Sequence, residues 1–328
     1  MTVSKVLRDA PDISAETKGR IRLLAQQMGY VPDSMAQSLR TRKTKLLGLI
    51  IPAMTNPIFV RIWMAVEERA FEAGYQVIVA HSFNKPEREE SAIRQLLSRR
   101  VDGLLISPLY RLAPSVSIYN ELYQRSVPVV ILDHKAPFCS QFTCVETDDL
   151  EASMRITRHL IRLGHKHIAF FTGPAAAPWA QERLEGYRRA LREAELPMDD
   201  RLVFAAGGTI EEGAQAAEQF LREKPPVTAI QAVNDMVAMG AGHHLLNQGL
   251  RIPFDLSLTG FGNFLASEYF RVPLTTARQP KHRLGCLSVA TLLGLINGQR
   301  VDPQILTAEL IVRASTAAPL TAAASCSL

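Results

Sequence analysis

Residues 46–81, LLGLIIPAMTNPIFVRIWMAVEERAFEAGYQVIVAH, hold the fold in miniature. LLGLII is apolar throughout, too short for a buried helix, and closed by Pro52. From 58 to 73 the apolar residues recur at helical spacing, and Gly74 ends the pattern. A second apolar run, YQVIVAH, follows at once. Strands that are apolar throughout, instead of alternating, lie parallel and buried on both faces, with the helix as the crossover between them.

The same alternation repeats along the chain. A helix at 87–99 leads to DGLLISP (102–108), and one at 116–124 to VPVVILD (127–133). A second series starts at Asp148. Helices at 150–163, 180–193, 210–222 and 235–248 lead to HIAFFTG (167–173), RLVFAA (201–206), TAIQAV (228–233) and LSLTGF (256–261). After Gln279 a helix at 283–295 and a strand at 305–312 remain to complete the lobes by crossing back. The expected fold class is α/β, two doubly wound lobes. The first takes 47–147 plus 279–307, the second 148–278 plus 308–317. Loops at the carboxyl ends of strands from both lobes then line a central cleft. The small, polar tail 318–328 is expected to be disordered.

Length and composition agree with this reading. At 328 residues the chain exceeds one ordinary core. With 47% apolar and 21% charged residues it is neither a disordered, a collagenous nor a coiled-coil chain. No run of roughly eighteen apolar residues occurs, so no membrane-spanning helix and no membrane partner are expected. MTVSKVLRDAPD lacks the apolar stretch of a secretory signal. Cys139, Cys144, Cys286 and Cys326 show neither metal spacing nor a disulfide framework, and read as reduced thiols of a cytoplasmic protein.

The net charge of +5 sits at the front. Residues 1–45 carry Lys5, Arg8, Lys18, Arg20, Arg22, Arg40, Arg42, Lys43 and Lys45 against Asp9, Asp12, Glu16 and Asp33, and the rest of the chain is neutral. A basic head on a neutral body is the footprint of polyphosphate binding, though a solvated basic tail carries the same charge. TVSKVLR (2–8) is a helical fragment stopped by DAPD. Ser14 caps a helix at 15–28 with apolar Ile21, Leu24, Ala25 and Met28, which Gly29 ends. In DSMAQSLRTRKTK a short helix presents Leu39, followed by Arg40, Arg42, Lys43 and Lys45. Such a leucine can wedge between base steps while the cations hold phosphates; an ordinary linker with one exposed leucine is the other reading.

TVSKVLR, ISAETKGRIRLLAQQMGYVP and SMAQSLRTRKT together resemble the DNA-binding head of the lactose/galactose repressor (LacI/GalR) family, and the resemblance runs to about Thr316. It implies a remnant of a helix-turn-helix at 1–31, with Thr2, Ser4 and Lys5 on the recognition helix. It also implies a hinge at 32–46, in which Ser34, Gln37, Leu39, Arg40, Arg42 and Lys43 meet DNA and Leu39 intercalates. Family members carry a further helix before TVS; here Met1 stands directly before Thr2, so the head as written is expected to bury too little to fold alone.

For the body, the resemblance implies a type I periplasmic-binding-protein-like core at 47–317 that closes on a small ligand. NPIF (56–59), HLIRLGHKHIA (159–169), ERLEGY (182–187), NDMVAMGA (234–241) and PLTTARQP (273–280) look like its fingerprints. Carried over, the ligand-facing residues are Met54, Asn56, Phe59, Asp133, Arg183, Asn234, Phe261 and Gln279. Arg183 would hold hydroxyls or a carboxylate through its planar fork, and Phe261 would supply an apolar face. Where the family has an aspartate after LSLTGF this chain has Gly262, with Asn263 the candidate to compensate. Thr209 stands at an aromatic position of the family.

No catalytic set is legible. There is no G-x-S-x-G elbow and no phosphate-binding loop. GAG (240–242) and GFG (260–262) lack the third glycine of a dinucleotide site. His243 and His244 are adjacent, so they point apart on a helix, and His165 and His167 fit a structural turn. Asp148 and Asp149 read as an N-cap pair. No enzyme activity, metal or cofactor is expected. What the resemblance implies is a ligand-responsive, dimeric transcriptional repressor with operator DNA and a carbohydrate effector as partners. The alternative is a soluble small-molecule-binding protein that does not bind DNA.

Overall fold

The apolar runs become the central strands of two six-stranded sheets. The computed structural model describes residues 5–6, 10–30 and 43–320. Thr2, Ser4, Ser34, Gln37, Leu39, Arg40 and Arg42, the DNA-facing expectations, and the end of the tail at 321–328 lie outside the described residues. The chain divides into two units, Met1–Lys45 and Leu46–Leu328.

In the first unit a helix spans Ala15–Gln27. Ser14 caps it, its hydroxyl accepting from the Thr17 amide at 3.3 Å. Gly29, at φ +60°, turns the chain so that its own amide reaches Gln26 and the Tyr30 amide reaches the Ala25 carbonyl at 2.9 Å. That double bond pattern satisfies the last carbonyls of the helix. Of the DNA-facing expectations, Lys5 is ion-paired with Asp12 at 2.5 Å and Lys43 is exposed.

In the second unit the first sheet runs β11-β5-β4-β3-β1-β2, all parallel. Its strands are β1 (Leu46–Ile51), β2 (Gln76–His81), β3 (Gly103–Ile106), β4 (Val129–Leu132), β5 (Thr143–Thr147) and β11 (Gln304–Leu306). The second sheet runs β12-β10-β9-β8-β6-β7. It holds β6 (Ile168–Thr172), β7 (Val203–Ala205), β8 (Ala229–Ala232), β9 (Ser257–Gly262), β10 (Thr275–Arg278) and β12 (Glu309–Ile311), the last antiparallel to β10. Every residue of β3, β4, β8 and β9 is buried, as two-sided coverage by helices requires. Among the described residues no helix is long and apolar enough to cross a membrane.

Three departures from the sequence reading stand out. β5 (TCVET) and β10 (TTAR) were not foreseen, because neither has an apolar run. The expected strand at 305–312 is two strands in different sheets, broken at Thr307 and Ala308, where the chain passes from one lobe to the other. And of the expected capping pair only Asp148 caps: its carboxylate accepts from the Glu151 amide at 2.9 Å, while Asp149 begins the helix Asp149–Arg162 and is fully buried. Asp148→Ala is therefore expected to lower the unfolding free energy by about 1 kcal/mol and Asp148→Asn far less, read as urea midpoints.

The lobes are joined by three crossovers, after β5, after β10 and between β11 and β12. They run side by side. The Asp148 amide donates to the Leu306 carbonyl at 2.9 Å, and Gln279 Nε2 donates to Thr147 Oγ1 at 3.4 Å.

Candidate ligand cavity between the lobes

A cavity of about 500 Å³ opens where the carboxyl ends of the strands of both lobes face each other. The first lobe contributes Asn56 and Phe59 after β1, Ser107 and Tyr110 after β3, and Asp133 after β4. The second contributes Trp179 and Arg183 from the helix Pro178–Glu193, Thr209 and Glu212 from the start of Ile210–Glu223, Asn234 after β8, Phe261 on β9, and Gln279 in the crossover.

Local chemistry fixes these positions. Asn56 caps the helix Pro57–Glu72 by accepting from the Ile58 amide at 3.2 Å, with Pro57 at the first helical position, where no amide is needed. Asn234 caps Asp235–Asn247 through the Val237 amide at 2.7 Å, and its Nδ2 donates to the Gly208 carbonyl at 3.1 Å. Thr209 and Glu212 form a reciprocal capping box. The Glu212 carboxylate accepts from the Gly208 and Thr209 amides at 2.8 and 2.9 Å, and these bonds, Gly208 first, hold its pKa below the usual glutamate range. Caps and cavity walls are the same residues, so the helix N-termini set the shape of the site.

Arg183 is turned inward. Its Nε and Nη2 donate to Asp149 Oδ2 at 2.8 and 2.5 Å, and Nη1 donates to the Val233 carbonyl at 2.9 Å. The guanidinium carbon lies 3.7 Å from the centroid of Phe261 and 4.8 Å from that of Trp179. The fork expected to grip a ligand thus closes on Asp149, and two of its five N–H groups are left for other acceptors. Burial pushes the Asp149 carboxyl up, with the Arg183 guanidinium pulling against it. Asp149 Oδ1 finds no hydrogen-bond partner among the described residues.

Of the ligand-facing expectations, Asn56, Phe59, Asp133, Arg183, Asn234, Phe261 and Gln279 share this one cavity. Met54 and Asn263 do not line it. Met54 packs against the first lobe's core. Asn263 is spent elsewhere, its Oδ1 accepting from Arg313 Nη2 at 2.8 Å. The reason is backbone geometry. Gly262 at φ +129° and Asn263 at φ +51° turn the chain away from the cavity, and both carbonyls accept from the half-buried Lys281 ammonium. A side chain at 262 would also meet the Phe264 ring at 2.9 Å.

Sequence reading missed Trp179, Tyr110, Ser107 and Glu212. Trp179 stands four residues before Arg183 on one helix, so the two share a face. Glu212 was legible as the partner of Thr209 in the T-x-x-E box. Tyr110 and Ser107 follow the carboxyl end of β3, where a switch-point cleft collects its residues.

Comparison with known proteins fits this geometry. Residues 44–313 match the family model described as periplasmic binding proteins and sugar binding domain of LacI family, and residues 1–33 match that of bacterial regulatory proteins, lacI family. The chain is 30% identical over 317 residues to the HTH-type transcriptional regulator DegA of Bacillus subtilis (strain 168), covering 96% of this chain and 94% of that one. It is 30% identical over 319 residues to the HTH-type transcriptional repressor CytR of Escherichia coli (strain K12), covering 97% and 92%. Among solved structures, the lac repressor dimer bound to operator and the anti-inducer ONPF superposes with a TM-score of 0.84 at 29% identity, covering 97% of this chain and 95% of that one. The transcriptional regulator CelR–cellobiose complex does so at 0.77 and 27%, covering 95% and 94%. A basic front unit followed by two α/β lobes around a cavity, matched by both family models along nearly its whole length, belongs to the LacI family of ligand-responsive, DNA-binding bacterial regulatory proteins.

Proposed function

We propose that this protein is a dimeric cytoplasmic repressor whose cavity takes an uncharged, polyhydroxylated effector, a sugar or sugar derivative, and whose operator affinity depends on that effector. The observation that carries the ligand class is the Arg183–Asp149 pair. Arg183 is the one cation among the described residues lining the cavity, and its charge is already met by Asp149. Asp133 and Glu212 add carboxylates. A phosphate or carboxylate would enter a site with no cation to spare. A neutral polyol finds acceptors in the carboxylates, amides in Asn56 and Gln279, and flat apolar surfaces in Phe59 and Trp179. The cellobiose-bound neighbour supports the sugar class.

Thr2, Ser4, Lys5, Ser34, Gln37, Leu39, Arg40, Arg42 and Lys43 remain the DNA-facing candidates, with Leu39 at the operator centre. Calorimetric titration with a panel of neutral mono- and disaccharides, each beside its phosphorylated form, tests the ligand. The neutral member is expected to bind at least tenfold tighter, and tighter binding of a phosphorylated form would reject the reading. A gel shift on promoter DNA with and without that sugar tests the coupling, expected at about 1–3 kcal/mol, a roughly 5- to 150-fold change in operator affinity.

A further inference from the structure

The two lobes are tied by more than their crossovers. His134 follows β4 in the first lobe, and Glu182 lies on the helix Pro178–Glu193 of the second. His134 Nδ1 is 2.6 Å from Asp133 Oδ1, and Nε2 is 2.8 Å from Glu182 Oε2. We propose that Asp133–His134–Glu182 is a cross-lobe clasp: His134 holds the lobes closed over the cavity and positions the Asp133 carboxylate that faces the ligand. The inference does not depend on which molecule fills the cavity.

Geometry dictates the state of the ring. An ionised carboxylate only accepts, so an imidazole bonded at both nitrogens to carboxylates donates from both and is an imidazolium. A neutral ring would lose one of the two bonds. The surroundings favour the cation. Glu146 on β5, Asp149 at the start of its helix and the two bonded carboxylates surround it; Lys135 is the next residue in the chain, and Arg183 is bound to Asp149. Burial alone would depress this histidine, but Asp133 above all, with Glu182 and Asp149, pushes it up to about 11.

Two further observations mark the segment as built for position. Asp133 stands at φ +76°, a left-handed conformation that an aspartate adopts more readily than most non-glycine residues and that turns its carboxylate back onto the His134 ring. The Tyr110 hydroxyl, on the loop after β3, donates to the His134 carbonyl at 2.8 Å and pins the backbone. The ring is 3% exposed and the Glu182 side chain 40%, so the bond to Glu182 is the wet end of the clasp, the one that parts when the lobes open.

A histidine raised in the folded state contributes its full stabilisation below its free value near 6.5, and the contribution declines as pH rises from there until it is gone above the raised value. The clasp therefore holds across the physiological range, where a neutral histidine tie would switch near 6.5.

The test uses the full chain, with Glu182→Ala as the main variant because that side chain is partly exposed and its loss leaves the core intact. Nitrogen-15 histidine spectra, assigned with His134→Gln, are expected to show both His134 nitrogens protonated at pH 8 and a midpoint lowered by more than one pH unit in Glu182→Ala. Small-angle scattering is expected to show a larger radius of gyration for Glu182→Ala at pH 7, with no further increase when His134→Gln is added to it. A His134 that titrates near 6.5 in the unaltered protein would overturn the proposal, as would a Glu182→Ala protein whose scattering and His134 midpoint are unchanged.

Discussion

Arg183→Met is expected to lower the free energy of unfolding by about 3–5 kcal/mol, a marked drop in the urea midpoint, and to remove effector binding. The size follows from what is left behind. Asp149 is fully buried, one of its oxygens has no partner among the described residues, and the other accepts twice from Arg183. Without the guanidinium the carboxylate is a buried charge with no counterion, and Phe261 and Trp179 lose the cation between them. The deficit should depend on pH. Burial already raises Asp149 above 3.8, and without Arg183 it rises further. A carboxyl raised in the folded state stabilises it below the unfolded value and loses that contribution as pH rises through the folded value. The variant is therefore closest to the parent near pH 4 and furthest from it near pH 8. Arg183→Met combined with Asp149→Leu should recover much of the stability but not the binding, since an apolar pair of similar volume removes the unpaired charge. Equal urea midpoints for the single variant and the parent would mean that the pair is not the anchor of the cavity wall.

Arg183 also shows where sequence reading stopped. ERLEGY pointed to Arg183, which lines the cavity, but a guanidinium followed by no visible partner reads as a ligand hook. Its partner stands 34 positions earlier, as the second of two aspartates that read alike. Nothing local says which of Asp148 and Asp149 faces inward. Burial decides it, and burial is a property of the packed helices. The strands divide in the same way. β1, β3, β4 and β8 were legible because an apolar run needs two covered faces. β5 and β10 were not, because neither has an apolar run; in β10 the threonines are buried with their hydroxyls bonded: Thr276 Oγ1 donates to Asp235 at 2.6 Å, and Thr275 Oγ1 lies 3.0 Å from Thr316 Oγ1. A polar residue whose partner comes from a distant element looks, in sequence, like a loop. Asn263 failed for a related reason. Its neighbour Gly262 was noticed as a missing aspartate, but the left-handed turn that carries both residues away from the cavity is a backbone fact. His134 carried no signal beyond sitting next to Asp133.

Gly240→Val is expected to cost about 3 kcal/mol or more and to disable the cavity along with the fold, at or beyond the top of the usual range for overpacked cores. The helices Ile210–Glu223 and Asp235–Asn247 meet backbone to backbone. A Cβ at Gly240 would stand 1.9 Å from the Ile210 carbonyl oxygen, and one at Gly213 would stand 2.4 Å from the Val237 carbonyl oxygen. Neither obstacle is the tip of a flexible side chain, so the helices themselves must part. Their N-termini carry Thr209, Glu212, Asn234 and Met236 into the cavity, and the bond from Asn234 Nδ2 to the Gly208 carbonyl joins the two caps. Separating the helices breaks that bond and moves a whole wall, so affinity should fall even under conditions where the variant is still folded. Gly19→Ala is the matching control. Gly19 lies inside Ala15–Gln27 with nothing within 4 Å of its added Cβ, and alanine there should stabilise the helix by about 0.5–1 kcal/mol. Opposite signs for the two glycines, read by urea unfolding of the full chain, would show that space against a neighbouring backbone, and not helix propensity, is what keeps glycine at position 240. A Gly240→Val protein with the parent's midpoint and affinity would mean that the helices separate without strain, and that the cavity wall is not held by their contact.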